Sequence, residues 1–252
     1  MKYFKDFQDI FYNFGNEARP TLVQNISRYV DVVDQIKDDI SFLTFYNIQE
    51  GYRPDQVSVQ LYDTPLYYWT FYLLNDNIRQ QGWPLTNIEF QNYIKKIFPN
   101  TTVTTRENIT TKFKVGQTMT GNTSGVSGKI IRRNADLGQI IVEGKPSFRI
   151  SGETFTSTNA SGTLESIIAV SSSDEHKAAN YYTDTTGICD LGIDSDVTSP
   201  TYGGHLPPGA LKNEITNEQA YYNVNESLRQ IRVIRPNLIN NVVSGYKKAI
   251  RE

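Results

Sequence analysis

Three carboxylates fall close together at Asp190-x-x-x-Asp194-x-Asp196, a grouping that could offer oxygen ligands to Ca²⁺. The spacing lacks the Asp-x-Asp-x-Asp-Gly order and the distal Glu of an EF-hand loop, so it reads as a solvated turn. Glu143 and Glu153 are the nearest approach to a glycosidase acid pair. That chemistry needs two carboxyl groups facing each other across a cleft, and no pattern around them predicts one. A thiol nucleophile would require Cys189 beside His176 or His205, and only residue type links the three. Gly121-x-x-x-Gly125 lacks the Gly-Lys-Ser/Thr ending of a phosphate loop and reads as a hairpin turn. No catalytic set, metal site or cofactor motif emerges. The chain reads as a non-enzyme with no small-molecule substrate.

Charge points the same way. The 252 residues carry a formal net charge of −2, which gives no electrostatic case for nucleic acid or an anionic membrane. The nearest basic row is Arg229, Arg232 and Arg235; from Glu226 onward, six basic residues against two glutamates leave a net +4. That row suits pairing with carboxylates of a partner protein. One cysteine excludes an internal disulfide and fits folding in a reducing cytoplasm. No apolar run approaches a membrane span, and the N-terminus lacks the apolar core of a signal peptide. Aromatics are abundant, 16 Tyr and 12 Phe, and tyrosine is favoured both at interfaces and in half-buried strands.

The elements that would position these residues can be read in order. Residues 1–40 form an aromatic arm (Phe4, Phe7, Phe11 and Tyr12 among its apolar residues) and a helix from Leu22 with Ile26, Tyr29, Val30, Val33, Ile36 and Ile40 on one face. Phe42 to Ile48 alternates as a strand, with Tyr46 and Ile48 on one side. Gly51 allows a turn, and Pro54 starts a short helix carrying Val57 and Leu61. Thr64-Pro65 starts another, with Leu66, Trp69 and Leu73 as its buried stripe, and Asn75 ends it in left-handed backbone. A helix from Pro84 to Phe98 presents Ile88, Tyr93, Ile94 and Ile97, closing a module over 41–98.

Residues 108–172 are rich in Gly, Thr and Ser and contain a two-copy repeat. Phe113-Lys-Val-Gly-Gln-Thr-Met-Thr aligns with Phe148-Arg-Ile-Ser-Gly-Glu-Thr-Phe-Thr, with one inserted residue. Ser124-Gly125-x-x-x-x-Ile130-Ile131 aligns with Ser161-Gly162-x-x-x-x-Ile167-Ile168. Short β-prone segments broken by turns predict a small antiparallel barrel or sandwich, inserted into the rest. Residues 173–211 read as a long irregular connection. In 212–252, Ser227 to Ile234 alternates as a strand, and Pro236 opens a helix with Leu238, Ile239, Val242, Val243, Tyr246 and Ile250 on its apolar side.

Strand, Gly turn, short helix, Pro-started helix and Asn stop is the order of a LysM module. Tyr46-x-Ile48-x-x-Gly51-x-Arg53-Pro54-Asp55, Leu61-Tyr62-Asp63-x-Pro65, Tyr68-Trp69, Leu74-Asn75 and Trp83-Pro84-Leu85 together resemble the LysM-like baseplate wedge subunit of contractile-tailed, T-even-type bacteriophages. Asn225-Glu226-x-Leu228-Arg229-Gln230-Ile231-Arg232-Val233-Ile234 is similar to that family's closing segment, so the resemblance covers roughly residues 1–98 and 212–252. It implies an α+β, multi-lobed chain: a βααβ-type module with flanking helices, the inserted β domain and a C-terminal strand–helix. The implied function is that of a structural subunit in the virion's tail baseplate, made in the host cytoplasm. It would clamp other wedge proteins and neighbouring wedges, the sheath-initiating and wedge-core subunits among them. Expected partner-facing residues are Phe4, Phe7, Phe11, Tyr12, Arg229, Arg232, Arg235 and Tyr246; the expected module core is Tyr46, Ile48, Val57, Leu61, Trp69 and Leu73. The alternative is a peptidoglycan-binding LysM module. Against it, Arg79-Gln80-Gln81-Gly82-Trp83-Pro84 stands where a glycan-binding module carries a Pro-Gly-Gln type turn beside its sugar groove.

Overall fold

Two short strands open the described part of the chain. β1 (Asp9–Tyr12) and β2 (Thr21–Gln24) pair antiparallel, from Asp9 opposite Gln24 to Tyr12 opposite Thr21. Gly15 between them takes a left-handed φ of +68°, which glycine adopts at no steric cost. Leu22 and Val23 therefore belong to a strand and not to the expected helix, in keeping with the pleated preference of aromatic and β-branched residues. The computed structural model describes residues 9–13, 15, 19–24, 37 and 39–251; Phe4, Phe7 and the helix face from Ile26 to Ile36 lie outside them. Among the described residues the protein is mixed α and β, with six α-helices and several small antiparallel sheets. It divides into two units, residues 1–86 with 224–252 and residues 87–223.

In the first unit, β3 (Leu43–Asn47) occupies the alternating run around Phe45. α1 (Pro54–Tyr62) begins after Arg53, whose backbone N–H donates to Gln56 Oε1 at 2.9 Å, with Pro54 where a helix needs no N–H. It stops at Asp63 in left-handed backbone, φ 55°. Pro65–Tyr67 then makes a single 3₁₀ turn, capped by the Thr64 hydroxyl, and α2 (Trp69–Leu74) starts only at Trp69. This break in helical phase corrects the expected stripe. Leu66 is 55% exposed and Leu73 half-buried, whereas Trp69, Thr70, Phe71 and Leu74 are buried. Asn75 ends α2 in extended backbone, φ −122°, not in the left-handed region, and α3 (Asp76–Gln81) follows at once.

In the second unit, α4 (Asn87–Ile97) buries Phe90 and Ile94 and leaves Ile88, Tyr93 and Ile97 exposed, a rotation of the expected face. β4 (Thr101–Thr105), β5 (Thr118–Gly121), β6 (Ser127–Asn134), β7 (Gln139–Val142), β8 (Thr154–Thr158) and β9 (Leu164–Asp174) close into an antiparallel barrel of order β4-β7-β6-β5-β8-β9. β4 lies before the expected 108–172 because its run of threonines shows no apolar alternation; pairing with β7 and β9 makes it a strand. The repeat is two hairpins, β5–β6 and β8–β9. Its equivalent residues Phe113 and Phe148, Met119 and Phe155, and Ile130 and Ile167 are buried together in the barrel core, while Ile131 and Ile168 are both exposed. β5 and β8 also pair with each other, and Thr120 stands opposite its own equivalent, Thr156. A local two-fold axis therefore passes between them.

The expected irregular connection, 173–211, holds the end of β9, β10 (Ala179–Asp184) and β11 (Gly187–Cys189). With β12 (Asn213–Thr216) they form a sheet of order β11-β10-β12. α5 (Asn217–Ser227) has too polar a sequence to announce itself; its Tyr221 and Tyr222 rings meet Phe98 and Phe90 edge-on at 5.4 and 5.8 Å.

The chain then returns to the first unit with β13 (Gln230–Ile234) and α6 (Ile239–Arg251). β13 pairs antiparallel with β3, Ile231 opposite Tyr46 and Val233 opposite Thr44. After the β1–β2 ribbon, the order along the described part of the first unit is thus strand, three α-helices and, after the second unit, strand and helix. Ile231 and Val233 are fully buried while Gln230 and Arg232 face out, the period-two pattern of a half-covered sheet. Trp69 is 7% exposed and its ring lies 5.4 Å from that of Tyr246 on α6. Two buried asparagines tie the halves. Asn75 Nδ2 donates to Arg232 O and Asn75 Oδ1 accepts from Arg232 N, both at 2.8 Å across 157 positions. Asn225 Oδ1 accepts from Leu85 N at 2.8 Å, and its Nδ2 donates to Leu85 O at 3.1 Å.

Asn75→Ala leaves the N–H and C=O of Arg232 buried without partners, so it should lower stability by about 2–4 kcal/mol. Arg232→Glu, which alters only an exposed side chain, should change it by less than about 0.5 kcal/mol. Urea denaturation of both variants checks the contrast, and equal losses would refute it. Because Leu85 and Asn225 are hydrogen-bonded, a short Gly/Ser bridge from Thr86 to Val224 should replace residues 87–223 without strain. The bridged protein should keep a cooperative melt and the helical dichroism of the first unit; a non-cooperative or aggregated product would show that the second unit is needed.

Candidate functional site

The proposed partner-facing residues separate once the tertiary structure is known. Phe4 and Phe7 lie outside the described residues. Phe11 is 74% exposed on β1, beside exposed Tyr12 and, across the ladder, exposed Leu22. Such a ribbon sets large apolar side chains in water, the usual mark of a surface that another molecule covers. Arg232 is exposed on the outer face of β13, directly opposite Phe45 on β3, itself 68% exposed. Phe45, Arg232, Ile40, Thr44 and Lys37 border a depression of about 460 Å³ on that face. Lys37 Nζ is held 3.1 Å from Asp76 Oδ1.

Of the other three, Tyr246 and Arg229 turn inward, while Arg235 stays exposed. Tyr246 is 4% exposed, packed on Trp69, and belongs to the core. Arg229 is half-buried; its Nε donates to Glu226 Oε1 at 2.7 Å and its Nη2 to Leu85 O at 3.4 Å. Arg235 Nε donates to Leu43 O at 3.2 Å, fastening the end of the β3–β13 pair. Arg232 lies on β13 as the alternation predicted, but the expected strand from Ser227 begins only at Gln230, so Arg229 falls in the turn between α5 and β13. Of the expected module core, Ile48, Val57 and Trp69 are buried, while Tyr46, Leu61 and Leu73 are half-buried and packed against that core. Tyr46 Oη donates to Gln60 Oε1 at 2.6 Å. Tyr62 and Phe71, passed over in the sequence, fill the centre in their place. Burial pushes the Tyr62 hydroxyl up, and it remains a donor to Ile234 O at 2.9 Å.

The candidate chemistries resolve into turns and braces. Asp194 and Asp196 spend their carboxylates on the loop itself: Asp194 accepts from Asp196 N at 3.0 Å and Thr201 Oγ1 at 2.7 Å, and Asp196 accepts from Thr198 N at 2.9 Å. No cluster of metal-ligating side chains occurs among the described residues. The Cys189 thiol is pushed up, by burial and then by the nearby Asp184 charge, the reverse of what a nucleophile needs. His205 Nε2 meets Ala135 O at 2.7 Å, and His176 Nε2 lies 3.9 Å from Glu218, so neither imidazole serves the thiol. Glu153 is fully buried, and its carboxylate accepts backbone N–H groups from Ser124 at 2.6 Å, Arg149 at 2.8 Å and Thr123 at 3.2 Å. Glu143, its imagined partner, is exposed. What the site can offer is contact area and charge. No helix among the described residues is long and apolar enough to cross a membrane.

No protein-family model matches the chain, and no curated protein matches it. Phe45 went unnoticed as a surface residue because an alternating run does not say which of its faces is covered, and Ile40, expected on a helix's apolar face, lies in a turn and is 83% exposed.

Glu153 carries a pH signature. Burial by itself would push its carboxyl up, but hydrogen bonds from the amides of Ser124, Arg149 and Thr123 outweigh that and hold it below the usual carboxylate range. A depressed native value contributes stability above the unfolded value of about 4.3, and that stability is lost as pH falls through the native value. Glu153→Gln should therefore be less stable than the native chain at pH 7, and the gap should close below about pH 4. Thermal melts across that range test this; a gap independent of pH would rule out the carboxylate as its source.

Proposed function

We propose that the chain is a structural subunit of a contractile phage tail baseplate wedge, joining neighbouring wedge components through protein–protein contacts. One observation carries the reading. The two segments that bear the family resemblance, separated by the whole second unit, are joined by their own motif residues: Asn75 to Arg232, Asn225 to Leu85, and Tyr62 to Ile234. The succession of β3, α1 and α2 with antiparallel β13 is compatible with the order expected of a LysM-like module, with α3 added and the closing strand supplied by the far segment. The exposed apolar ribbon of β1–β2 and the Phe45–Arg232 face supply surface for partners, with charge setting orientation and encounter rate more than affinity.

The peptidoglycan reading draws less support. Residues 79–81, where its groove-lining turn would begin, form the end of α3, and Trp83 Nε1 donates to Tyr52 O at 2.7 Å. Trp69, the residue best able to stack on a sugar, is in the core.

Phe11→Ser combined with Arg232→Glu should leave circular dichroism and the melting midpoint unchanged. The same variant should fail to co-elute with the other wedge proteins in a reconstitution run on a sizing column, where the native chain joins them. Tight sedimentation of the native chain with peptidoglycan, together with no affinity for any tail protein, would overturn the proposal.

A further inference from the structure

The two hairpins of the barrel are equivalent in sequence, and the places where they differ open a cleft. In the first, the Glu153 carboxylate reaches the β5–β6 turn and accepts N–H groups from Thr123 and Ser124 at 3.2 and 2.6 Å. Gly121 makes the room, since a Cβ there would stand 2.4 Å from Glu153 Oε1. At the equivalent places of the other hairpin stand Gln117 in place of Glu153 and Ser157 in place of Gly121. Ser157 turns its Oγ to Thr118 O at 2.9 Å. Gln117 holds only Thr158 O and Glu165 Oε2 through its Nε2, at 3.3 and 3.4 Å. The β8–β9 turn is braced instead by its own Asn159, whose Oδ1 accepts from Ser161 N at 3.0 Å and Thr163 N at 2.9 Å. The one carboxylate that reaches this turn, Glu165, accepts from the Asn159 side chain at 3.3 Å and from no backbone N–H of the turn, and an open cleft of about 790 Å³ lies between the turn, β5 and β8.

The lining narrows what would fit. Thr118, Thr120, Thr156, Thr158 and Ser161 line the cleft. The Thr120 and Thr156 hydroxyls bond Ser127 Oγ and Asn122 Oδ1 at 2.8 and 3.0 Å, so Thr118, Thr158 and Ser161 are the hydroxyl residues that can offer donors and acceptors. Lys114 and Glu165 balance in charge, so the lining does not select an anion or a cation. Val115 and Leu164 add exposed apolar area against which the C–H face of a ring can lie. Gln117 Oε1 accepts no hydrogen bond from any described residue, and its amide is anchored only by the two long bonds of its Nε2. That oxygen is buried, and turning the amide toward the cleft would give it a ligand hydroxyl as its missing partner. The volume falls within the roughly 300–1,000 Å³ of small-ligand sites. We propose that the cleft between β5, β8 and the 159–165 turn binds a neutral oligosaccharide. It lies in the second unit and owes nothing to the strand–helix–helix–strand module.

Isothermal titration of the full chain with maltotetraose, cellotetraose and chitotetraose tests the proposal. At least one should bind, and Thr118→Tyr, which plugs the cleft from an exposed position, should weaken that binding by about tenfold or more. Gln117→Ala should weaken it by about threefold or more, because an acceptor is lost. Both variants should keep the native dichroism and melting midpoint. Binding of none of the three sugars overturns the proposal. So does binding that survives Thr118→Tyr in a folded protein, or binding abolished by Tyr52→Ala in the first unit. Each of these results leaves co-elution with wedge proteins untouched, so the two readings stand or fall separately.

Discussion

The structure of the first unit depends on the pairing of one backbone residue with one carboxamide. Arg232 lies in the second strand of a two-stranded sheet, where one edge is paired with β3 and the other would face the protein interior. Asn75 supplies both a donor and an acceptor at 2.8 Å, as another strand would. Buried backbone groups left unpaired cost free energy comparable to a lost hydrogen bond, so a sheet this narrow needs such a substitute edge. Asn225 does the same for Leu85. These amides fix register between segments that local sequence does not connect, and the aromatic contacts of Trp69 with Tyr246 and Tyr62 with Phe71 pack around them.

The second unit solves a different problem. A hairpin cannot bury its apolar face alone, and the barrel stacks two related hairpins about a local axis between Thr120 and Thr156. β4 and β7 complete the ring and remove its open edges. Once the core is shared, the two turns are free to diverge. One is pulled down by a buried carboxylate that three amides keep ionised, and the other is braced on its own asparagine. The chemistry hinted at by isolated carboxylates in the sequence is in this way converted into architecture. Glu153 is a brace and not a general acid.

The surface that remains for function is correspondingly narrow. Arginines at 229 and 235 each donate to a backbone carbonyl of their own unit, and Arg232 and Arg235 remain exposed. Exposed apolar residues cluster on the β1–β2 ribbon and opposite Arg232, where contact area is available without disturbing the core.

Local chemistry was legible from sequence alone. The alternation around Phe45 and from Gln230 to Ile234, the Pro54 and Pro65 starts, the two matched hairpins and the C-terminal amphipathic helix each follow from periods of 2 or 3.6 and from turn residues a few positions apart. The composition likewise argued against a catalytic or metal site. What the tertiary structure decided is everything that needs a distant partner. It chose β3 as the mate of β13, drew the threonine-rich β4 into the barrel, and turned Tyr246 and Arg229 inward. It also made Asn75, the residue that ends α2, a substitute strand edge. Side-chain period tells which residues share a face, but not which face is covered; that depends on chain returning from more than 140 residues away, where sequence spacing carries no information.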